Sequence, residues 1–433
     1  MKDSHLTPET LRLLLARDST EEENRALLHQ FAVCPACNAV GGYILDLYEQ
    51  GALDLHFCTV DIELAQSRAE APILFAKLER FAFPIQQGLV RDTQQFRSWG
   101  LCEFLCNASR RTAAHDAGRA VELAELAVTV ASLLEEWQPA ERAWLYELRA
   151  YAWAHLGNAR RVLGELRSAD KAFEQADLAW ETAEPDVGDV LGYAAHIFAL
   201  KASLRREERR FEEALSLTDQ ALAADAPQPL RSMILIAKAK LLEEMGLLEE
   251  AIVLLKGMVP LADAGEARLA FVVRHNLLDN LTRLGSFAEA AALLPTVREL
   301  ACATAGRLDL LRLGWVEARI AVGQGDTGTA LTLFAELRQA LAAEGLGFDV
   351  ALASLELAYL HAQSGRLEEV RALTREALTL FQTADVPREG LGALTLLLQA
   401  TEAETSAVEL TTRVAECLRT MRRPRLPLTL EDH

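Results

Sequence analysis

The chain is poor in the residues that build sheets, bridge disulfides or grip nucleic acid. Aromatic residues make up 6% of its 433 residues. Val, Ile and Thr rarely alternate with polar residues, which argues against a large sheet. No uninterrupted apolar run approaches ~18 residues, so no segment is expected to span a membrane. Residues 1–20 carry charge throughout and lack the apolar stretch of a secretory signal. Seven cysteines are an odd number, and five of them precede residue 107. That pattern predicts a reduced, cytoplasmic chain with thiols available as metal ligands rather than a disulfide scaffold. Cations are scarce too: 44 Lys and Arg against 63 Asp and Glu give a net charge of −19. Such a surface repels a phosphate backbone. There is no GxSxG, GxxxxGK[ST] or HExxH segment, hence no expected nucleophile elbow, phosphate loop or zinc-protease helix. The chain reads as a binder and not an enzyme.

What is present favours helix. The sequence is 51% hydrophobic and 25% charged, enough to fold, and Leu, Ala, Glu and Arg are strong helix formers. Its length exceeds what one core accommodates, which directs attention to repeats. Residues 153–176 contain Trp153, Leu156 and Gly157, then Gly164, then Ala169, Phe173 and Ala176. A turn residue followed five positions later by Ala or Val recurs as Arg209 to Ala214, Gly246 to Ala251, Gly285 to Ala290, Gly325 to Ala330 and Gly365 to Val370. The glycines at 246, 285, 325 and 365 are 39, 40 and 40 residues apart. Gly157 allows two helices to approach closely, and Gly164 supplies the positive φ of a helix-ending turn.

This pattern resembles the tetratricopeptide repeat, with a period near 40 in place of the usual ~34. The extra residues lengthen the helices by about a turn and a half per repeat. The resemblance implies an all-α, right-handed α-solenoid of stacked helical hairpins. HEAT or armadillo arrays share the longer period. A first pair is expected at 88–110 and 117–136, and a last pair at 390–402 and 405–421. Pro72 and Pro84 bracket a short helix over 73–80. The first helix of each hairpin lines the binding side of such arrays. Aligning the repeats places Asn158, Arg161, Arg206, Lys240, Asn276, Asp279, Arg283, Arg319 and Tyr359 there, with Trp315 beside them. Amides grip a peptide backbone and cations suit acidic groups. This predicts a polar, partly basic groove in an acidic protein.

The N-terminus holds a second constellation: His5, His29, Cys34 and Cys37. Two imidazoles and two thiolates make a neutral tetrahedral zinc site, which would tie together short helices that share little apolar surface. The spacing resembles the zinc-binding anti-sigma-factor domain, although four residues separate His29 from Cys34 where that family has three. The resemblance implies a sigma factor as one partner. The organisation read from sequence is a helical zinc-binding domain over 1–57, a connecting helix over 58–87, the repeat array over 88–421 and a tail over 422–433.

Other candidates read as packing. Cys102 and Cys106 share one helix face, and Cys302 and Cys417 are expected in the core. His155, His196, His275 and His361 are expected as hydrogen-bonded packing residues. Glu243 and Glu244 are expected on solvated faces. The chain is thus expected to be a cytoplasmic regulatory scaffold for a protein or peptide. A peptide-sensing receptor is the alternative, and a regulatory subunit of an enzyme complex is the third.

Overall fold

The computed structural model describes residues 55–135, 139–183, 192–224 and 226–383, with the side chains of 55–63, 139–142 and 382–383 excepted. His5, His29, Cys34, Cys37, Cys417 and the last expected helix pair lie outside the described residues. Among the described residues there is no strand. The chain divides into two compact units, residues 1–204 and 205–433. Helices α1 (Leu55–Leu78), α2 (Phe83–Asp92), α3 (Trp99–Thr112), α4 (Ala117–Leu133), α5 (Pro139–Leu163) and α6 (Leu166–Thr182) lie in the first unit. Helix α7 (Ala194–Glu207) begins in the first unit, and its last three residues belong to the second. The second unit continues with α8 (Phe211–Ala223), α9 (Gln228–Glu244), α10 (Leu248–Asp263), α11 (Ala267–Leu284), α12 (Phe287–Thr304), α13 (Arg307–Gly323), α14 (Thr327–Ala343), α15 (Gly347–Gln363) and α16 (Leu367–Thr383).

Each unit is a run of α-solenoid hairpins: α3 to α6 and α8 to α16 pack in succession, while α1 packs on α3 and α2 on α4. In the second unit α11 also touches α13, the first helix of the next hairpin. Six hairpins share one turn. Gly164, Gly246, Gly285, Gly325 and Gly365 have φ of 89°, 81°, 83°, 78° and 70°, and Arg209 occupies the same place at 61°. The following N–H bonds back to the carbonyl five residues earlier, as in Leu247 N to Leu242 O and Ser286 N to Leu281 O, both 2.9 Å. This is the Schellman closure, which satisfies the last helical carbonyls. The small residue five positions on packs at the crossing: Ala169, Ala214, Ala251, Ala290, Ala330 and Val370 are all completely buried. Helices α9 to α16 run 16–18 residues, as the 40-residue period requires.

Local chemistry sets the other boundaries. Asp116 caps α4 by accepting from Arg119 N at 2.9 Å, and Asp326 caps α14 by accepting from Thr329 N at 3.0 Å. The expected single helix over 88–110 is broken. Thr93 is extended, a short 3₁₀ turn spans Gln94–Phe96, and Ser98 starts α3 by accepting from Leu101 N at 3.3 Å. The short helix expected between the two prolines is also absent, because α1 runs through Pro72 to Leu78. Proline removes one helical hydrogen bond but not the burial of neighbours such as Ala71, Leu74 and Leu78. Pro84 sits in the first turn of α2, where its missing N–H has no intrahelical partner to lose.

Candidate partner-binding face

The first helices of the hairpins are the odd-numbered ones from α3 to α15. In the second unit their residues six positions before the turn are Lys240, Asp279, Arg319 and Tyr359, on α9, α11, α13 and α15. All four are half-buried. They form a ladder alternating cation, anion, cation and phenol, each rung set by the same local turn. Around it the charges interlock. Glu243, only 5% exposed, accepts from Lys240 on its own helix at 2.6 Å and from Arg283 on α11. Arg206 lies 3.8 Å from Glu244. Arg319 reaches Glu356 on α15 at 2.8 Å. Burial opposes the charge of Arg319, but Glu356 and Asp279 overcome it and raise its pKa.

Each cation of the expected groove that lies in this unit thus has a carboxylate beside it, and three of these pairs, Arg206–Glu244, Arg283–Glu243 and Arg319–Glu356, bridge neighbouring hairpins. Glu243 is the clearest departure from the sequence reading. Instead of facing solvent it is the buried centre of the Lys240 and Arg283 pairs. The signal for Glu243 and Glu356 lay in the spacing: Glu243 precedes Arg283 by 40 residues, and Glu356 follows Arg319 by 37. One repeat period brings such positions to adjacent helices.

Trp315 and Tyr359 supply the aromatic surface of this face. Trp315 packs edge-on to Phe334 at 6.3 Å, with the Arg319 guanidinium 6.0 Å from its ring. The Tyr359 hydroxyl accepts from Gln363 Nε2 at 2.7 Å. Asn276 is half-buried, and its backbone carbonyl accepts from Asn280 Nδ2 at 2.9 Å. In the first unit Asn158 and Arg161 are both buried, and the Asn158 side-chain oxygen accepts from Arg161 Nη2 at 2.9 Å.

The packing candidates divide. Cys102 and Cys106 are buried as expected, and Cys102 Sγ donates to Ala127 O at 3.4 Å. Burial pushes the Cys106 thiol pKa well up, which makes it a poor nucleophile. Cys302 is exposed, not in the core. His155 and His275 are buried, but neither ring nitrogen of either has a hydrogen-bond partner among the described residues. Their expected hydrogen bonding is therefore not seen. No group of three or more metal-ligating side chains occurs among the described residues. No helix among them is long and apolar enough to cross a membrane.

Sequence comparison with protein-family models finds no match, and comparison with curated proteins finds none either. The fold is shared more widely. A crystal structure of a Rap protein complexed with the competence and sporulation factor is similar at a TM-score of 0.52 and 13% identity, covering 74% of this chain and 88% of that one. The apo form of RapI is similar at a TM-score of 0.54 and 10% identity, covering 74% of this chain and 87% of that one. At such identities the likeness is one of architecture: both are similar to this chain in the helical-repeat fold.

Proposed function

We propose that the chain is a cytoplasmic regulatory scaffold that holds a protein or peptide segment against the first-helix face of its second unit. The observation that carries this is the ladder of Lys240, Asp279, Arg319 and Tyr359, with Trp315, Arg283 and Asn276 around it. Half-buried polar and aromatic side chains recurring at one repeat position suit an extended chain, which presents groups at regular intervals. Ion pairs that are already formed favour a partner carrying both charge signs or an acidic group able to displace Glu243 or Glu356. One protein of a similar fold, a Rap protein, is complexed with the competence and sporulation factor, which agrees with this reading.

The test is an affinity capture from lysate with the full chain and with a Lys240→Ala/Arg319→Ala/Tyr359→Ala variant. A protein retained by the wild type and lost at least tenfold by the folded variant supports the reading. Equal retention rejects it. A receptor role is favoured by one further feature: Arg283–Glu243 and Arg319–Glu356 join adjacent hairpins. A ligand that exchanges these pairs would alter the spacing of the hairpins. Hydrogen exchange in α9 to α15 should then change when the captured partner is added.

His5, His29, Cys34 and Cys37 remain our proposed zinc ligands, with a sigma factor as the second partner. The support is the donor set, which is neutral and of the right softness for zinc. One zinc per wild-type chain, lost in Cys34→Ala/Cys37→Ala, is the expected result. Equal metal content in the two proteins rejects it.

A further inference from the structure

We propose that the cleft between α5 and α6 in the first unit binds a small organic carboxylate, with the ligand's ring on Trp153 and its carboxylate on Arg160 and Lys171. The cleft has a volume of about 330 Å³ and is lined by Trp153, Arg160, Lys171, Ala172, Glu174 and Gln175. Trp153 and Arg160 are seven residues apart on α5, about two helical turns, so they share a face. Glu174 and Gln175 follow Lys171 by three and four residues on α6, the spacing of one helix face. The floor is apolar. Trp153 is half-buried and packs on a cluster of small residues, Ala124, Ala159 and Ala172 among them, that joins α4, α5 and α6. Ala172 is buried, and its short side chain leaves the space beside the indole open.

The cleft is rich in donors that the fold leaves uncommitted. The Arg160 guanidinium reaches Glu125 on α4 at 3.4 Å and the Ser168 carbonyl at 3.5 Å, both at the outer limit of a hydrogen bond. Its remaining N–H groups are available. The side chains of Lys171 and Gln175 are exposed, and neither they nor the Trp153 indole N–H have a hydrogen-bond partner among the described residues. An anion is the ligand that such a donor set lacks. Glu174 limits its charge. Two cations and one carboxylate line the cleft, an excess of one positive charge that a carboxylate balances and a phosphate dianion exceeds. Glu125 beside Arg160 disfavours a second negative charge further. Size sets the rest. The cleft stands at the lower end of the ~300–1,000 Å³ of ligand sites, which suits one ring and a carboxylate and is too small for a nucleotide. The indole supplies a flat apolar partner for that ring.

The test uses the full chain, its six tryptophans labelled at the indole nitrogen, with phenylacetate as the probe. The Trp153 N–H resonance, identified by its loss in Trp153→Phe, should shift saturably with a Kd on the order of 1 mM. Acetate, which lacks the ring, and benzyl alcohol, which lacks the charge, should each bind at least about tenfold more weakly, and phenyl phosphate should also bind more weakly than phenylacetate. Lys171→Gln should weaken phenylacetate about fivefold, while Glu174→Gln should tighten it about twofold and favour phenyl phosphate more. Both positions are exposed, so both variants should fold. If Trp153→Phe does not, the same titrations read through the signals of the ligand in wild type and these two variants decide. The site is overturned by no saturable shift up to about 20 mM phenylacetate, by acetate or benzyl alcohol binding as tightly, by phenyl phosphate binding more tightly to wild type, or by equal affinity in wild type and Lys171→Gln. The cleft shares no residue with the ladder of the second unit, so failure here leaves the partner-binding reading standing.

Discussion

One missing atom decides how closely α5 and α6 meet. A Cβ on Gly157 would lie 2.7 Å from the ring of Phe173, which is completely buried and has nowhere to move. Alanine gains about 1 kcal/mol of helix propensity at such a position. Overpacking costs about 1–3 kcal/mol. We therefore expect Gly157→Ala to destabilise by about 1 kcal/mol in urea unfolding, and Phe173→Leu to suppress part of that cost in a double-mutant cycle. A stabilised single variant would show that propensity wins and the crossing relaxes. The hairpin turns allow a second comparison. Gly285→Ala places a Cβ at φ 83° and should cost about 1 kcal/mol. The reverse change, Arg209→Gly, relieves the same strain. It also loses a cation–π contact to Phe211 at 5.4 Å and gains unfolded-state entropy. Its net effect should stay within about 0.5 kcal/mol of zero.

Between helices, ion pairs fix register more than they add stability. Asp309, 2% exposed, binds the nearly buried Arg268 of α11 and also accepts from Gly306 N at 3.1 Å at the start of α13. Asp309→Ala removes this cap and leaves the nearly buried Arg268 without its carboxylate, and should cost about 3–5 kcal/mol. Asp309→Asn keeps an oxygen for the cap and should cost less. Arg307 and Glu344 also pair, but Arg307 is 71% exposed. Glu344→Gln should therefore change unfolding by less than about 0.5 kcal/mol. Equal effects at the two sites would mean that burial is not what separates them. Repeat spacing forecasts which first helices meet, and so allows Arg268 to find Asp309. It does not tell which of the many charges on each helix turn inward.

For the molecule as a whole, acid is the informative stress. Burial lowers the His275 pKa to about 4, and Arg312 adds to this; burial and Arg110 do the same for His196. Both titrate near 6.5 when unfolded. The unfolded chain therefore binds more protons than the folded one between pH 6.5 and 4. Stability is complete above pH 6.5 and falls as pH drops toward 4, by at most ~1.4 kcal/mol per pH unit for each histidine. Urea midpoints at pH 7.5, 6 and 5 should show this slope, and His275→Phe should flatten it. An unchanged slope would mean that His275 keeps its ordinary affinity for protons.

The sequence alone determined the turns, the crossings and the helix lengths. A left-handed residue, a small residue five positions later and a 40-residue period are local requirements, legible in any one repeat. It also placed Lys240, Asp279, Arg319 and Tyr359 at one repeat position, because that position is counted from the turn. Only the tertiary structure decided that Glu243 and Glu356 neutralise the face, that Cys302 is exposed, and that His155 is buried with both ring nitrogens unmatched. Those outcomes depend on side chains from helices some 40 residues apart. A residue's own neighbours in sequence fix its helix face, while its burial and charge are set by what the next hairpin brings against it.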